Sequence, residues 1–235
     1  MSNLRESTTT TAEDLQVPMP TVAKFVRQLS HDLRNHLNAA ELQSAYISEI
    51  AADGEIKEEV KRLRAMLSEL GGSLQSLTTS LAPINLTLMP YEAANFIADV
   101  RQKMESKFAE ESKGIDWAID AGNSFLNIDP QILQQAFLEI FANAFQHQRG
   151  SGQLKVKAEA NDGRFVFTLA EPKNLFSGST ENWGGQPFAA VKHGHYGLGL
   201  PRVRSIIEEH QGEFTARYDS DSLVTTIALP IERAP

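Results

Sequence analysis

Cysteine is absent from the 235 residues, which excludes disulfide bonds, thiolate catalysis and zinc sites built on cysteine. An excess of positive charge is also missing, since 22 Lys and Arg stand against 30 Asp and Glu for a net charge of -8. This balance gives no indication of binding to nucleic acid or to an anionic membrane. No apolar run reaches membrane-spanning length, and the N-terminus lacks the basic-then-apolar order of a signal peptide. The sequence therefore predicts a cytoplasmic protein with neither nucleic acid nor membrane as its partner.

The first third of the chain has helical periodicity. Residues 1–20, rich in Ser, Thr and acidic side chains, are predicted to be a disordered tail. Residues 21–83 are predicted to form a hairpin of two helices that turns at Asp53-Gly54. The second helix has an apolar heptad seam formed by Ile56, Val60, Leu63, Leu67, Leu70, Leu74, Leu77 and Leu81. One antiparallel hairpin cannot bury two apolar faces, so we expect a homodimer with a four-helix bundle. The alternative is that the seam packs on the second domain.

Two glycines, Gly71 and Gly72, interrupt the pattern of the second helix. Each costs about 1 kcal/mol relative to alanine in a helix interior. They predict either a kink or space for a group that approaches the first helix.

His31 lies off the apolar stripe of the first helix, which is formed by Val22, Val26, Leu29, Leu33, Leu37 and Ala40. Asp32 is its neighbour and Asn35 follows one helical turn later. Imidazole titrates near neutral pH, and its neutral nitrogen is a good nucleophile. Taken alone, the pattern also fits an ordinary solvated histidine.

The rest of the chain mixes helices and strands. Residues 84–90 lie between prolines and alternate in polarity, which predicts a linker with a short strand or an extended connector. Beyond them, helices are predicted over 91–113, from Asp129-Pro130 onward and over 198–210, and strands over 115–119, 154–160, 164–169, 214–218 and 223–229. The predicted fold class is α+β: a helical hairpin followed by an α/β sandwich with helices on one face of a mixed sheet.

Two segments of this second part have residue types suited to phosphate chemistry. Glu139 and Asn143 are four residues apart, so they share one helix face, where a carboxylate and an amide can bind Mg²⁺ and orient phosphate oxygens. Gly197 and Gly199 precede a helix, where backbone N–H groups can approach a phosphate closely. The alternatives are a solvated polar face for the first segment and a plain helix entry for the second.

Together these segments resemble the transmitter region of bacterial two-component histidine kinases, over about residues 21–232. The run Ser30-His31-Asp32-Leu33-Arg34-Asn35 resembles the phospho-acceptor box, and Asp129 through Asn143-Ala144 resembles the N box. Gln186-Pro187-Phe188, Lys192 and Gly197-Leu198-Gly199-Leu200 resemble the F box and the second glycine box. The resemblance implies that residues 21–83 dimerise and transfer phosphate, and that residues 91–235 bind ATP as the related Hsp90 and MutL ATPases do.

The resemblance also implies roles for single residues. His31 would attack the γ-phosphate of ATP, Asp32 would orient the imidazole and accept its proton, and Asn35 would align water for dephosphorylation of a response-regulator receiver domain. Glu139 and Asn143 would hold Mg²⁺, and Glu171 would replace the aspartate that reads adenine. The implied nucleotide-binding residues are Glu139, Asn143, Glu171, Lys192, Gly197, Leu198 and Gly199.

The sequence departs from the family pattern where the first glycine box is expected. The run Leu169-Ala170-Glu171-Pro172-Lys173-Asn174 has neither the aspartate nor the glycine pair. Gln146 stands in place of a phosphate-binding lysine, and His36 in place of a proline. Nothing in the sequence resembles a sensor domain. Two interpretations stay open: an autokinase without its own sensor, switched by a separate sensor or regulatory protein, or a non-catalytic phosphotransfer or scaffold dimer.

Overall fold

The computed structural model of the protein describes residues 18–146, 150–174, 176, 178–188, 196–219 and 221–232. These residues divide into two compact units, with the boundary between Thr79 and Ser80. Within the described ranges, no helix has the length and apolar character that a bilayer crossing requires.

The first unit is formed by helix α1, Met19–Ile50, and helix α2, Gly54–Ser80. The Arg34 guanidinium Nη2 on α1 donates to Gln75 Oε1 on α2 at 2.7 Å, which is the pairing expected of antiparallel neighbours joined by a short turn. Helix α2 continues through Gly71 and Gly72. A Cβ at either glycine would meet nothing within 4 Å, so the space that was one of the two predicted alternatives is present beside them.

The heptad seam of α2 is only half covered within the hairpin. Val60 is buried, and Leu67 and Leu74, at intervals of seven residues from it, are half-buried. The other half of the seam stays open, because Ile56, Leu63 and Leu70 are 47%, 43% and 55% exposed. The hairpin therefore leaves a regular apolar stripe without a partner inside its own unit.

The described residues of the second unit form two sheets and three α-helices. Its elements are β1 Met89–Glu92, α3 Ala93–Lys107, a 3₁₀ turn Glu111–Gly114, β2 Ile115–Asp120, β3 Phe125–Ile128, α4 Pro130–Gln146, β4 Leu154–Asn161, β5 Arg164–Pro172, α5 Gly199–Glu209, β6 Glu213–Asp219 and β7 Ser222–Pro230. Strands β1 and β3 pair with each other, and the five-stranded sheet has the order β2-β4-β5-β7-β6. Strands β2 and β4 are parallel and the other pairs in this sheet antiparallel, so the sheet is mixed as predicted.

The core of this unit lies between the sheet and the helices. Side chains along β5 alternate, and Phe165, Phe167 and Leu169 point inward. Phe137 and Phe141, one turn apart on α4, pack against Phe167 with ring centroids 4.7 and 6.2 Å away. This contact layer confirms the predicted sandwich.

Several boundaries differ from the prediction. Residues 83–88 have no regular structure, because the Thr87 N–H bonds to the Asp129 carboxylate instead of to a neighbouring strand. The helix predicted over 91–113 ends at Lys107, where Phe108 leaves the helix and packs against Phe145 at 5.1 Å. Strand β3 was not predicted at all.

The chain direction brings three segments to one end of the domain. Helix α4 begins beside His210, which follows the last turn of α5, so the two helices are antiparallel. Strand β6 begins at Glu213, just after α5, and therefore at that same end. Glu213 and Val166, near the start of β5, lie on either side of the same β7 residue, Ala228, so β5 also starts there. The second half of α4, the first turn of α5 and the last residues of β5 therefore share the opposite end.

Candidate functional site

His31 lies on an exposed face of α1 with its acidic neighbour engaged. Its Nδ1 is 3.2 Å from Oδ1 of Asp32, and Gln28 Nε2 donates to the same oxygen at 3.0 Å. The hydrogen bond with His31, followed by the one from Gln28, holds the pKa of Asp32 below its usual value. An ionised carboxylate can only accept, so a neutral His31 imidazole hydrogen-bonded to it has its proton on Nδ1 and its lone pair on Nε2. In that form Nε2 is the ring atom that could act as a nucleophile.

The predicted residue Asn35 lies one turn beyond His31 and is exposed. Its side chain is on the same side of α1 as His31, because four residues make just over one turn. The structure thus presents an imidazole, a carboxylate and an amide together on the outside of one helix.

Glu139 of α4 and Gly199 of α5 are in direct contact. A Cβ added at Gly199 would overlap Oε1 of Glu139 and lie 3.0 Å from its Cδ. Any larger residue at position 199 would therefore require the Glu139 carboxylate to move away from the first turn of α5. The two predicted motifs, far apart in sequence, form one feature at this end of the domain.

Asn143, one turn beyond Glu139, has a buried amide nitrogen. Its Nδ2 has no hydrogen-bond partner within the part of the chain that the structure describes. A buried donor without a partner is costly, so it indicates a ligand with acceptor oxygens. The pair Glu139 and Asn143 offers the hard oxygen ligands and amide donor that fit a phosphate group with Mg²⁺. No cluster of three or more His, Cys, Asp or Glu side chains suited to a metal occurs among the described residues, so such an ion would depend on phosphate and water for its other ligands.

The glycine turn before α5 is fixed by its neighbours. Gly197 has a φ of 64°, a conformation that favours glycine, and its carbonyl accepts from the Phe188 N–H at 3.1 Å. Leu198 is buried and its carbonyl accepts from the Arg202 N–H at 3.0 Å. Leu198 thus anchors the turn in the core, while the glycines on either side let the backbone come close to a ligand. Lys192, the remaining predicted contact, lies outside the described residues.

Glu171 points inward near the end of β5, and its carboxylate is already paired. The partner is the ammonium of Lys173, two residues further along, and both side chains are more than nine-tenths buried. Lys173 belongs to none of the predicted motifs. The spacing of two residues at a strand end was the available signal, since it places both side chains on one face.

A second unpredicted feature is the network around Asp129. Its Oδ1 accepts from the N–H groups of Gln131 and Ile132, and Oδ2 accepts from Thr87 at 2.9 Å. Burial raises the pKa of Asp129, but the three backbone donors, led by Thr87, outweigh it and lower the pKa below its usual value. The Asp129 N–H donates to Nε2 of His210, whose Nδ1 donates to the Ile206 carbonyl. The N box aspartate is therefore a helix cap that fixes the start of α4.

Arg202 connects α5 to the start of the second unit. Its guanidinium donates to the Ala82 carbonyl, and burial lowers its pKa. The family resemblance had not singled out this residue.

Comparison with known proteins gives the same assignment. Residues 128–233 match the family described as histidine kinase-, DNA gyrase B-, and HSP90-like ATPase. The sensor histidine kinase ZraS of Salmonella typhimurium is 25% identical over 213 residues, which cover 86% of this chain and 44% of ZraS. The histidine protein kinase DivJ of Caulobacter vibrioides is 23% identical over 228 residues, covering 91% of this chain and 38% of DivJ.

The fold has a solved counterpart. The crystal structure of full-length ShkA in complex with AMPPNP superposes with a TM-score of 0.70 at 21% identity, covering 90% of this chain and 46% of ShkA. The chain spans about half the length, or less, of ZraS and DivJ. Residues 128–233 are thus an ATPase domain of the histidine kinase, gyrase B and HSP90 type. With the helical hairpin before it, the chain is similar along most of its length to the transmitter regions of two-component histidine kinases.

Proposed function

We propose that the protein is an ATP-dependent histidine autokinase that phosphorylates His31 and passes the phosphoryl group to an aspartate of a response-regulator receiver domain. The observation that carries this proposal is the contact of Glu139 with Gly199 beside the unpartnered amide of Asn143. This arrangement supports a phosphate-binding end in a domain of an ATPase family.

The contact between Nδ1 of His31 and Asp32 suits transfer of the γ-phosphoryl group of ATP to Nε2. Nε2 would attack the γ-phosphorus of ATP, so that an N–P bond forms as the bond from phosphorus to the β–γ bridging oxygen breaks and ADP leaves. The imidazole gains positive charge in this step, and Asp32 is placed to take the Nδ1 proton. The phosphoryl group then moves from Nε2 to a carboxylate oxygen of the receiver, and the imidazole regains its proton. Catalysis of this type depends on positioning and on charge neutralisation.

The phosphate end of the nucleotide site would be held by groups that the domain already presents. The Glu139 carboxylate and the side-chain oxygen Oδ1 of Asn143 would hold Mg²⁺, which would neutralise charge on the phosphates when bound. The Asn143 amide would donate to a phosphate oxygen, and Gly197 and Gly199 would admit the phosphates to the backbone of the α5 turn. Leu198 would keep that turn in place, and Lys192 would add a cation to the same end.

The open half of the α2 seam supports a homodimer. Ile56, Leu63 and Leu70 are exposed at regular intervals of seven residues, as in helices that pack on a second helix pair. Two hairpins brought together would cover these stripes in a four-helix bundle. We therefore expect two copies of the chain to associate through this surface.

The outer face of α1 supports a protein partner for His31. Leu42 and Tyr46 are 73% and 63% exposed. They follow His31 and Asn35 at spacings that keep all four on one side of the helix. An apolar patch beside a reactive residue suits docking of a receiver domain. In the docked complex, Asn35 would align a water molecule for receiver dephosphorylation.

The first experiment is incubation of the full chain with γ-labelled ATP and Mg²⁺. We expect acid-labile, alkali-stable label on the protein and its complete loss in His31→Ala. His36→Ala is the matched control, because His36 is an exposed histidine on the same helix and should leave labelling unchanged. Label that persists in His31→Ala would refute the assignment of the phosphorylated residue.

A second candidate function is supported by the ion pair between Glu171 and Lys173. If this pair prevents ATP binding, the protein would act as a non-catalytic phosphotransfer or scaffold dimer that receives phosphate on His31. A phosphorylated receiver domain would then label the wild-type chain and not His31→Ala. Calorimetry with ATP separates the two functions, since only the autokinase binds the nucleotide.

A further inference from the structure

The end of β5 contains a charge pair in a position that the proposed nucleotide site would need. Glu171 is on the inward face of β5, in line with Phe167 and Leu169. The chain direction brings this strand end together with Glu139 and the first turn of α5, at the same end of the domain. A ligand with its phosphates at Gly199 would extend along this end, where Glu171 is the acidic side chain of the strand.

The backbone around Lys173 is held on both sides. Its N–H donates to the Asp221 carbonyl at 2.6 Å, and its carbonyl accepts from the Tyr218 hydroxyl at 3.2 Å. Tyr218 in turn packs against Phe176 with ring centroids 5.3 Å apart. These contacts fix the point from which the Lys173 side chain returns to Glu171. The ion pair is therefore part of the fold and not an incidental surface contact.

A carboxylate that is paired with an ammonium is a weak hydrogen-bond acceptor for a nucleotide base. In its bond with the Lys173 ammonium both partners are ionised, so a Coulomb attraction that a neutral amino group lacks is added to the hydrogen bond. An adenine amino group would have to compete with Lys173 for the carboxylate. Displacing Lys173 would also break a buried ion pair, which is unfavourable.

We propose that Lys173 is a specificity-determining residue: by neutralising Glu171 it removes the preference of the nucleotide site for a 6-amino purine. This inference rests on the proposed function, since it concerns the base end of that same site. The site then accepts a purine nucleoside triphosphate with a 6-oxo group as readily as ATP. The phosphate end supplies the affinity and the base end supplies little selectivity.

Calorimetry with ATP and inosine triphosphate, each with Mg²⁺, tests the proposal on the full chain. The two nucleotides share the triphosphate and ribose and differ at one edge of the base, where ATP has a 6-amino group and an acceptor N1 and inosine triphosphate has a 6-oxo group and an N1–H donor. We expect wild-type Kd values within about threefold of each other, against the tenfold or larger ratio that a lost hydrogen bond to a charged group produces. A wild-type preference of tenfold or more for ATP would overturn the proposal.

Two variants sharpen the test. Lys173→Met removes the ammonium that competes for the Glu171 carboxylate, and we expect a preference for ATP of roughly tenfold or more to emerge. The double change Glu171→Leu and Lys173→Met replaces the pair with apolar side chains, which a fold tolerates well. It should keep both wild-type Kd values. A folded Lys173→Met protein with an unchanged ratio, or a double variant that loses affinity for ATP alone, would contradict the proposal.

Lys157→Met is the matched control. Lys157 pairs with Glu159, also two residues away, on the exposed face of β4, so its loss should leave the ratio unchanged. Binding of either triphosphate reports on the phosphate end, whereas the ratio reports on the base end. A selective wild-type protein would overturn this inference and leave the proposed function intact. Failure of every variant to bind either nucleotide would overturn both.

Discussion

The helical hairpin and the ATPase domain differ in how far they bury their own apolar side chains. In the hairpin, Val60 is the one large apolar residue of the two described helices that is buried. In the ATPase domain a single helix, α4, buries Leu133, Ala136, Phe137, Ile140, Phe141 and Ala144. The domain is therefore complete as a folding unit, and the hairpin has an apolar surface that a second chain would cover.

The largest expected effect concerns the open seam. Replacing Leu63 and Leu70 by lysine should weaken self-association by more than about a thousandfold, because each leucine contributes roughly 1.5–3 kcal/mol on burial. Sedimentation equilibrium measures the change. Ser68→Lys, which adds a charge at an exposed position of the same helix, should leave the assembly intact. An unchanged dimer in the double leucine variant would show that the hairpin associates through another surface.

The next effect concerns the ATPase domain. Gly199→Ala should weaken ATP binding by roughly tenfold or more, because the new Cβ would displace the Glu139 carboxylate. Calorimetry with Mg²⁺ and ATP measures it. The contrast between the two regions would be broken if Gly199→Ala changed the assembly of the hairpin and left nucleotide affinity unaffected.

Asp129→Ala should destabilise the ATPase domain by about 1–2 kcal/mol, the usual cost of losing a helix cap. The lowered pKa of Asp129 means that its contribution is complete above about pH 4, the unfolded value, and is lost as the pH falls further. Urea unfolding of wild type and variant should therefore converge in acid. Asp120→Ala removes an exposed carboxylate and should have little effect on stability. Equal stability of Asp129→Ala and wild type at pH 7 would contradict the cap.

The smallest expected effect is in α2. A Cβ at Gly72 meets nothing within 4 Å, so Gly72→Ala should stabilise the hairpin by up to about 1 kcal/mol. Thermal unfolding measures the gain. Loss of stability would indicate that another chain packs closely on this glycine in the assembled protein.

The sequence predicted the order and type of most elements, because long apolar repeats are local signals. Helices α1, α2, α4 and α5 and the hairpin of β4 and β5 all follow from periodicity and turn residues. Strand β3 has four residues, too few for an alternating pattern to stand out. The end of α3 was missed because Phe108 leaves the helix for a contact with Phe145, which is distant in sequence.

The candidate site shows the same limit. Motif spacing was enough to nominate His31, Glu139, Asn143 and the α5 glycines. The partners of these residues depend on tertiary structure, and spacing does not reveal them. The contact of Glu139 with Gly199 and the pairing of Glu171 with Lys173 needed coordinates. The individual site roles, the domain boundaries and the cytoplasmic location stay predictions.

The Asp129 cap has a consequence for how the domain opens. One carboxylate holds the amides of Thr87, Gln131 and Ile132, and the Asp129 amide is held by His210. The four amides belong to the segment before β1 and to the start of α4, and the His210 ring adds the end of α5, so none of these groups can be exposed to solvent without loosening the others. In hydrogen-exchange experiments they should behave as one cooperative unit, with a shared opening free energy. The segment before β1, although it lacks regular structure, would then exchange as slowly as the helix start to which it is bound.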